Sequence, residues 1–356
     1  MPVESRHGRG ATRNATPTRF NLKERVVEGD WLDQVEAVDG IAPRRTTVTI
    51  EHPRTILTRN SSPDINFDRS VNAYRGCEHG CIYCFARPTH AYHDLSPGVD
   101  FESRLFAKPK AAQLLHAALS RPGYECRPIA MGTNTDPYQP IEERFKITRS
   151  LIELLVELRH PFTITTKSDR VLRDLDLLQS AAELGLASVA LSVTSLDPHI
   201  ARTLEPRAPR PAKRLAAIKA LGEAGVPCVV AIAPVVPQIT DHELEHIVEA
   251  AVAAKARGGF YLPVRLPHEV APLFRAWLDE HFPDRAAKVM ATIHSLRGNR
   301  DNDPNFFSRM RGQGPWAELL RTRFEIACKK YGLPQARFDL RTDLFRPPEG
   351  AQMRLI

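Results

Sequence analysis

Short apolar runs rich in β-branched residues alternate with amphipathic stretches along most of the chain. Several of these runs are apolar throughout, which is typical of parallel strands that are buried on both faces. There are six of them, at 70–76, 127–133, 162–168, 187–193, 227–235 and 259–266. The intervals between them carry apolar residues at helical spacing, as in Ile147, Leu151, Leu154, Leu155 and Leu158. The pattern therefore predicts a parallel α/β protein, built on an open doubly wound sheet, a barrel or a partial barrel.

Local signals predict where several of the helices begin and end. Asp197 precedes Pro198, and this order is typical of an N-cap followed by a first helical turn. Thr240, with Glu243 three residues later, predicts a capping box at the next helix. Near the C-terminus, Gly332 is expected to close a helix that begins at about residue 316.

The segments outside this alternating region have a different pattern. Residues 1–67 are mostly polar and interrupted by Gly and Pro, so we expect an N-terminal arm with a short helix within 21–38. Residues 68–281 carry the strands and helices of the main domain. Residues 282–356 begin with a loop-like stretch and continue into the helix that ends near Gly332, which predicts a C-terminal helical extension.

Composition narrows the class of protein. With 356 residues, 42% of them hydrophobic and 26% charged, the chain resembles an ordinary globular protein. No apolar run approaches the roughly 20 residues that span a bilayer, and the polar N-terminus lacks a signal sequence. We therefore expect no membrane association and a cytoplasmic location. The net charge is +7, and residues 282–356 hold 14 Lys/Arg against 8 Asp/Glu. This basic segment either faces nucleic acid or forms an ordinary solvated surface.

Three of the six cysteines, Cys77, Cys81 and Cys84, lie within eight residues in a C-x3-C-x2-C spacing. Thiols so close together in a reducing compartment indicate a metal more than a disulfide. Structural zinc sites usually take two cysteine or histidine pairs, so zinc would need a histidine such as His79, His90 or His93. Three cysteines on a four-iron cluster would leave one iron without a protein ligand, free to bind a substrate or cofactor. The spacing alone therefore leaves both zinc and a four-iron cluster as candidates for the metal centre.

The trio directly follows the first predicted strand, and in this position it resembles the signature of the radical S-adenosylmethionine (SAM) enzymes. The stretch NAYRGCEHGCIYCFARPTHAY at 72–92 is similar to that of spore photolyase and its bacterial relatives. Gly8 to Ala11 and Arg19-Phe20 also resemble an N-terminal element of that bacterial group. The resemblance implies a radical SAM partial (β/α)6 barrel with an N-terminal arm and a C-terminal extension.

The same resemblance implies the cofactors and the activity. Cys77, Cys81 and Cys84 would hold a [4Fe-4S] cluster, and SAM would chelate the open iron. An electron donor of the flavodoxin or ferredoxin kind would reduce the cluster. SAM would then be cleaved to methionine and a 5′-deoxyadenosyl radical, which abstracts hydrogen from a substrate.

Further candidate site residues lie where the predicted strands end, since the carboxyl ends of parallel strands form one edge. Tyr83 matches a family preference for an aromatic residue beside the SAM adenine, and Lys167 is placed to pair with the SAM carboxylate. Polar residues at the ends of the second and fourth strands are candidates for hydrogen bonds to SAM or substrate, namely Thr133, Asn134, Asp136, Ser192 and Thr194. Glu205 and Arg207 are candidate catalytic residues that place charge at the barrel mouth, with a helix-ending salt bridge as the structural alternative.

One departure from spore photolyase affects the predicted reaction. The hydrogen-donating cysteine of that enzyme lies in the stretch that matches TNTD at 133–136, and this chain has no cysteine there. Tyr138 is a candidate to quench a radical instead, and Tyr92 is another. Three functions follow: a radical SAM enzyme acting on nucleic acid, one acting on a peptide or small molecule, and a zinc-stabilised nucleic-acid-binding module.

Overall fold

The computed structural model describes residues 9–11, 46–334 and 339–348. The predicted helix within 21–38 and the Arg19-Phe20 element lie outside these residues. The strands are β1 (Thr47–Ile50), β2 (Leu57–Arg59), β3 (Arg69–Val71), β4 (Tyr74–Arg75), β5 (Arg104–Ala107), β6 (Ile129–Met131), β7 (Phe162–Thr166), β8 (Ala187–Ser192), β9 (Cys228–Val235) and β10 (Gly258–Pro263). The helices are α1 (Val99–Ser103), α2 (Ala111–Leu119), α3 (Glu142–Phe145), α4 (Ile147–Glu157), α5 (Leu175–Glu183), α6 (Pro198–Leu204), α7 (Pro211–Glu223), α8 (Leu244–Ala253), α9 (Val270–His281), α10 (Pro283–Leu296), α11 (Ser308–Arg311) and α12 (Gly314–Tyr331).

Six parallel strands form the centre of the fold. They lie side by side in chain order, as β3, β6, β7, β8, β9 and β10, with helices in the intervening connections. Each corresponds to one of the six runs predicted from the sequence. Parallel neighbours in simple chain order are the arrangement of a (β/α) barrel wall. The predicted α/β fold with a parallel, partial-barrel sheet is therefore confirmed.

Two features of the sheets were not predicted. β2 pairs antiparallel with β3 at the edge of the main sheet, and a second sheet joins β1, β5 and β4 in that order. Both β1 and β2 precede residue 68, within the segment that was predicted to be an arm. They are four and three residues long and largely exposed, so they have no apolar run by which the sequence would mark them. The domain boundary at 67/68 stays a prediction.

The core lies between the main sheet and its covering helices. Ile164 of β7 and Val189 of β8 are fully buried, and they belong to the same apolar cluster as Leu151 and Leu155 of α4. Cys228 is buried in β9 within this cluster, in agreement with the sequence-based expectation that it packs in the core. The predicted helical face of α4 therefore does cover the sheet.

The predicted helix boundaries have mixed outcomes. The Asp197 side chain accepts hydrogen bonds from the backbone N–H groups of His199 and Ile200, so this N-cap is confirmed. Gly332 ends α12 with a φ of 73°, again as predicted. The capping box at Thr240 is wrong, because the carboxylate of Glu243 instead binds the Ser195 hydroxyl and nearby backbone N–H groups.

The C-terminal part of the chain closes the sheet at its open side. α12 packs against α8, and α11 packs against β10, the last strand. From the other edge, Asp64 in the loop between β2 and β3 accepts hydrogen bonds from Nε and Nη2 of Arg309, at 2.7 and 2.6 Å. This Asp64–Arg309 pair joins the two edges of the sheet, and we call it the seam. In the described part of the chain, no helix is both long and apolar enough to cross a membrane.

Candidate active site

The three clustered cysteines lie on a loop at the carboxyl end of β3, just after β4. Cys77 and Cys81 are buried and Cys84 is partly exposed. Backbone hydrogen bonds from Gly80 to Cys77 and from Cys84 to Cys81 fold this segment into consecutive turns. The chain therefore brings three thiols to one end of the parallel sheet. We call residues 77–84 the cysteine loop.

Glycine allows the loop to begin where it does. Gly76 has a φ of 72°, and a Cβ on it would lie 2.6 Å from Leu105 Cδ2 and 2.8 Å from both His90 Cε1 and the Phe101 carbonyl oxygen. A larger residue would have to displace these neighbours and would also be strained in the left-handed region. Packing against α1 and β5 therefore favours glycine directly before Cys77.

The electrostatics of the thiols fit a cationic cofactor. Burial raises the pKa of Cys77 well above its ordinary value, and the charges of Asp136, Cys81 and Cys84 raise it further. Burial also raises the pKa of Cys81, to about 12. Three thiolates at this position therefore need a positive charge nearby. A bound metal supplies that charge, and this keeps its thiol ligands deprotonated.

The kind of metal centre is constrained by the grouping of side chains. Within residues 9–11, 46–334 and 339–348, no three His, Cys, Asp or Glu side chains are grouped as ligands of one metal ion would be. Zinc requires ligands at about 2.0–2.3 Å from a single centre. The thiolates of an iron–sulfur cluster bind different irons, so they need not converge in this way. The described residues therefore offer no preformed single-ion site, and a cluster would not require one.

Asp136 organises the edge beside the cysteine loop. Its carboxylate accepts hydrogen bonds from the hydroxyl of Thr166 at 2.6 Å and from the backbone N–H of Lys167 at 2.8 Å. Nδ1 of His79 lies 3.3 Å away. Although burial opposes ionisation, His79 and these donors lower the pKa of Asp136 to about 2. Asp136 therefore stays charged and holds the end of β7 against the cysteine loop.

Thr133 and Asn134 lie in the turn after β6, and Asn72 fixes this turn. The Asn72 side chain donates to the Thr133 hydroxyl at 3.1 Å and accepts from the backbone N–H of Asn134 at 3.0 Å. Asn72 directly follows β3, and a polar residue at the end of an apolar strand is the signal by which the sequence marks it. Asn134 is partly exposed at this edge, and its role in binding SAM or substrate stays a prediction.

A buried network links Tyr83 to the ends of β8 and α6. The carboxylate of Glu205 accepts hydrogen bonds from the hydroxyls of Tyr83 and Thr194 and pairs with Arg214. Glu205 and Arg214 are each about 1% exposed. Burial raises the pKa of Glu205, but Arg214 and Lys167 outweigh it and the net pKa is lowered. Arg214 also donates to the Ser192 carbonyl at 3.2 Å, so this pair fixes the end of β8.

Lys167 reaches across the cysteine loop. Its ammonium lies 5.7 Å from the centroid of the Tyr83 ring, at cation–π distance. Burial lowers the pKa of Lys167, but the charges of Cys81 and Glu205 act more strongly and the net pKa is raised. The structure therefore brings Tyr83, Lys167, Thr194 and Glu205 together, beside the trio.

Two of the predicted site residues, Arg207 and Tyr138, do not belong to this group of side chains. Arg207 pairs with Glu78 of the cysteine loop at 2.9 Å, and its side chain is 39% exposed. Tyr138 is fully buried in the main core, and its hydroxyl donates to Asp174 at 3.0 Å. Their predicted catalytic roles stay predictions. Sequence reasoning missed Arg214 and Glu78, because these partners are set by tertiary contacts rather than by a local pattern.

Comparisons with known proteins agree with this geometry. Residues 71–251 match the family model described as the radical SAM superfamily. An uncharacterised protein of Mycobacterium tuberculosis is 39% identical over 252 residues, which cover 69% of this chain and 74% of that relative. An uncharacterised protein of Methanocaldococcus jannaschii is 28% identical, over 60% of this chain and 76% of that relative.

A solved structure has a similar fold. It is that of spore photoproduct lyase complexed with dinucleoside spore photoproduct, and it superposes with a TM-score of 0.58. The match covers 85% of this chain and 86% of that chain at 14% sequence identity. At this identity the likeness shows that the fold is shared.

Proposed function

Because the chain belongs to the radical SAM superfamily, we propose that it is an enzyme that holds a [4Fe-4S] cluster through Cys77, Cys81 and Cys84 and reductively cleaves SAM. A bound cluster, held by the three thiolates, would supply the electron for reductive cleavage of the C5′–S bond of SAM, to methionine and a 5′-deoxyadenosyl radical that abstracts hydrogen from the substrate. The observation that carries the proposal is the cysteine loop itself. It lies at the carboxyl end of β3 and faces Lys167 after β7 and Thr194 after β8.

The side chains around the loop have distinct parts in this proposal. Lys167 keeps its positive charge and binds the carboxylate of SAM, while Tyr83 contacts the adenine. Thr133 and Asn134, in the turn held by Asn72, offer hydrogen bonds to SAM or substrate. Glu205 acts through its partners: it positions the Tyr83 ring and the Thr194 hydroxyl, and Arg214 keeps it ionised. The proposal includes a flavodoxin- or ferredoxin-like electron donor and a cytoplasmic location.

One anaerobic experiment tests the radical SAM activity. The protein is reconstituted with iron and sulfide, reduced and mixed with SAM, and 5′-deoxyadenosine is measured by chromatography. Cys81→Ala should lose the cluster and the product. Cys126→Ala is the matched control, since Cys126 lies before β6 and outside the trio, and it should retain both. A Cys81→Ala protein with a full iron and sulfide complement would refute the ligand assignment, and stoichiometric zinc in protein purified without air would favour the zinc alternative.

We propose nucleic acid as the substrate class, because each of two exposed aromatic residues near the seam has an arginine guanidinium packed against its ring. Phe85, next to Cys84, is 49% exposed, and Arg265 lies 5.3 Å from its ring centroid. Phe306 is 50% exposed, and Arg309 of the seam lies 4.8 Å from its ring centroid. Aromatic and guanidinium faces of this kind stack on unpaired bases, and the basic residues 282–356 favour a polyanion.

Fluorescence anisotropy with a labelled single-stranded oligonucleotide tests the substrate class. Phe85→Ala should weaken binding by roughly 1–3 kcal/mol, the usual contribution of one stacked base. Phe260→Ala is the matched control, since Phe260 of β10 is 38% exposed but has no arginine on its ring among the described contacts. Equal affinity in both variants, or no binding at low salt, would favour the peptide or small-molecule alternative.

A further inference from the structure

A short N-terminal segment packs against the cysteine loop, and one buried carboxylate holds it there. Glu102 of α1 is fully buried. It accepts hydrogen bonds from the backbone N–H groups of Arg9, Gly10 and Ala11, at 2.5, 3.0 and 2.8 Å. Hydrogen bonds from backbone N–H groups to an ionised carboxylate are stronger than those between neutral groups. Residues 9–11 therefore have a specific seat, and we call them the clamp.

The carboxylate that holds the clamp also holds the cysteine loop. Arg87, which is fully buried, donates to Glu102 at 2.5 Å. The same guanidinium donates to the carbonyl oxygens of Gly80 and Cys81, each at 2.9 Å. Glu102 thus neutralises the arginine that fixes the loop backbone between the first two cysteines.

The clamp also touches the cysteine loop directly. A Cβ on Gly10 would lie only 1.8 Å from the carbonyl oxygen of Gly80, so the two backbones are in contact. Gly80 itself has a φ of 68°, a conformation that glycine adopts without strain. The contact therefore requires glycine at position 10, while the positive φ favours glycine at position 80.

The Arg9 side chain extends this contact to the other end of the loop. Its guanidinium donates to the Thr46 hydroxyl at 2.6 Å and lies 3.5 Å from the carboxylate of Glu78. Glu78 follows Cys77 directly and also pairs with Arg207. The clamp consequently covers the loop from Glu78 to Gly80, and Arg207 reaches the same carboxylate from after α6.

We propose that the clamp and Glu102 are positioning elements for the iron–sulfur cluster: they hold the backbone of the cysteine loop in its ligating conformation. This inference rests on the proposed function. Since the clamp packs on the loop whose cysteines would bind the cluster, the two binding events are linked, and each must strengthen the other to the same extent. Cluster loading should tighten the clamp, and a displaced clamp should loosen the cluster.

The full-length Gly10→Ala variant tests this linkage, because the added Cβ meets a backbone oxygen and unseats the clamp. Gly123→Ala is the control for a Gly→Ala change away from the cysteine loop: its φ of 76° strains the alanine backbone, but a Cβ there meets nothing within 4 Å. Glu102→Gln is the second variant, which keeps the volume but removes the charge. Hydrogen exchange of the amides of residues 9–11 is measured by mass spectrometry with and without the cluster. Iron release to a chelator and the spectrum of the reduced cluster by electron paramagnetic resonance are the other readouts.

In the wild type, the amides of residues 9–11 should be protected, and more so when the cluster is loaded. Gly10→Ala should lose this protection and release iron about tenfold faster, within the range typical of coupled sites. Its cluster spectrum should change, while the control matches the wild type. Unprotected wild-type amides, or Gly10→Ala protein that releases iron at the wild-type rate, would overturn the inference alone. A wild type that takes up no iron would overturn the proposed function, and this inference with it.

Discussion

Acidification should destabilise the protein through His160, which lies just before β7, at the end of the sheet opposite the cysteine loop. His160 is fully buried. Nδ1 lies 2.9 Å from the Pro161 carbonyl, which can only accept, so Nδ1 carries the proton. Nε2 therefore accepts from the Tyr124 hydroxyl at 2.8 Å. Both nitrogens are satisfied in the neutral ring, and protonation would bury a positive charge and force the Tyr124 hydroxyl to change from donor to acceptor.

The size of the effect follows from the shift in pKa. Burial, with Arg69 nearby, lowers the pKa of His160 from 6.5 to about 4. The unfolded chain then binds more protons than the folded protein between these values, so stability falls as the pH falls through this window. Through His160 alone the free energy of unfolding should drop by about 2 kcal/mol between about pH 8 and about pH 5, and by about 3 kcal/mol below pH 4.

Urea denaturation of cluster-free protein across this pH range measures the drop. His160→Gln is the matched variant, because its amide oxygen can still accept from Tyr124 but does not titrate. It should be less stable at neutral pH, since the ring contact with Phe345 at 5.0 Å is lost. The free energy of unfolding should nevertheless depend less on pH than in the wild type. Identical pH profiles in the two proteins would refute the reasoning.

Three further substitutions test other parts of the structure. Asp64→Asn removes the charge that pairs with Arg309 at the seam, so hydrogen exchange within 306–311 should become faster, and unchanged exchange would contradict the seam's role. Gly132→Ala places a Cβ 2.0 Å from the backbone oxygen of Thr165 at a φ of 85°, so the urea midpoint should fall by the equivalent of about 2 kcal/mol or more. Tyr138→Phe removes a buried donor and should cost about 1–3 kcal/mol of unfolding free energy by the same assay, whereas wild-type stability would show that its hydroxyl is dispensable.

The parallel sheet was predictable because its signal is local. The central strands lie in runs rich in apolar residues, and polar residues directly follow two of them, Asn72 after β3 and Lys167 after β7. The order of parallel strands then places these residues at one edge without further information. β1 and β2 gave no such signal, since they are short, mostly exposed and stabilised by pairing with distant strands.

The partners of the site residues were not predictable in the same way. Arg214 lies on the helix after Glu205, and nothing in its local sequence marks it as the partner of that carboxylate. Glu102 lies in a short helix whose local sequence does not indicate that the carboxylate is buried, yet it is fully buried. Such pairs depend on which elements pack together, and one sequence does not reveal this. The capping box failed for the same reason, because Glu243 found a tertiary partner in Ser195.

The seam has a consequence for the order in which the protein is made. Asp64 and Arg309 are 245 positions apart, so the ribosome must synthesise most of the chain before they can meet. Until then, the first and last strands are unlinked and the growing barrel wall is open along one side. Closure of the partial barrel by the seam is therefore a late event in biosynthesis, and messages truncated before residue 309 should yield chains that expose this open side to quality control.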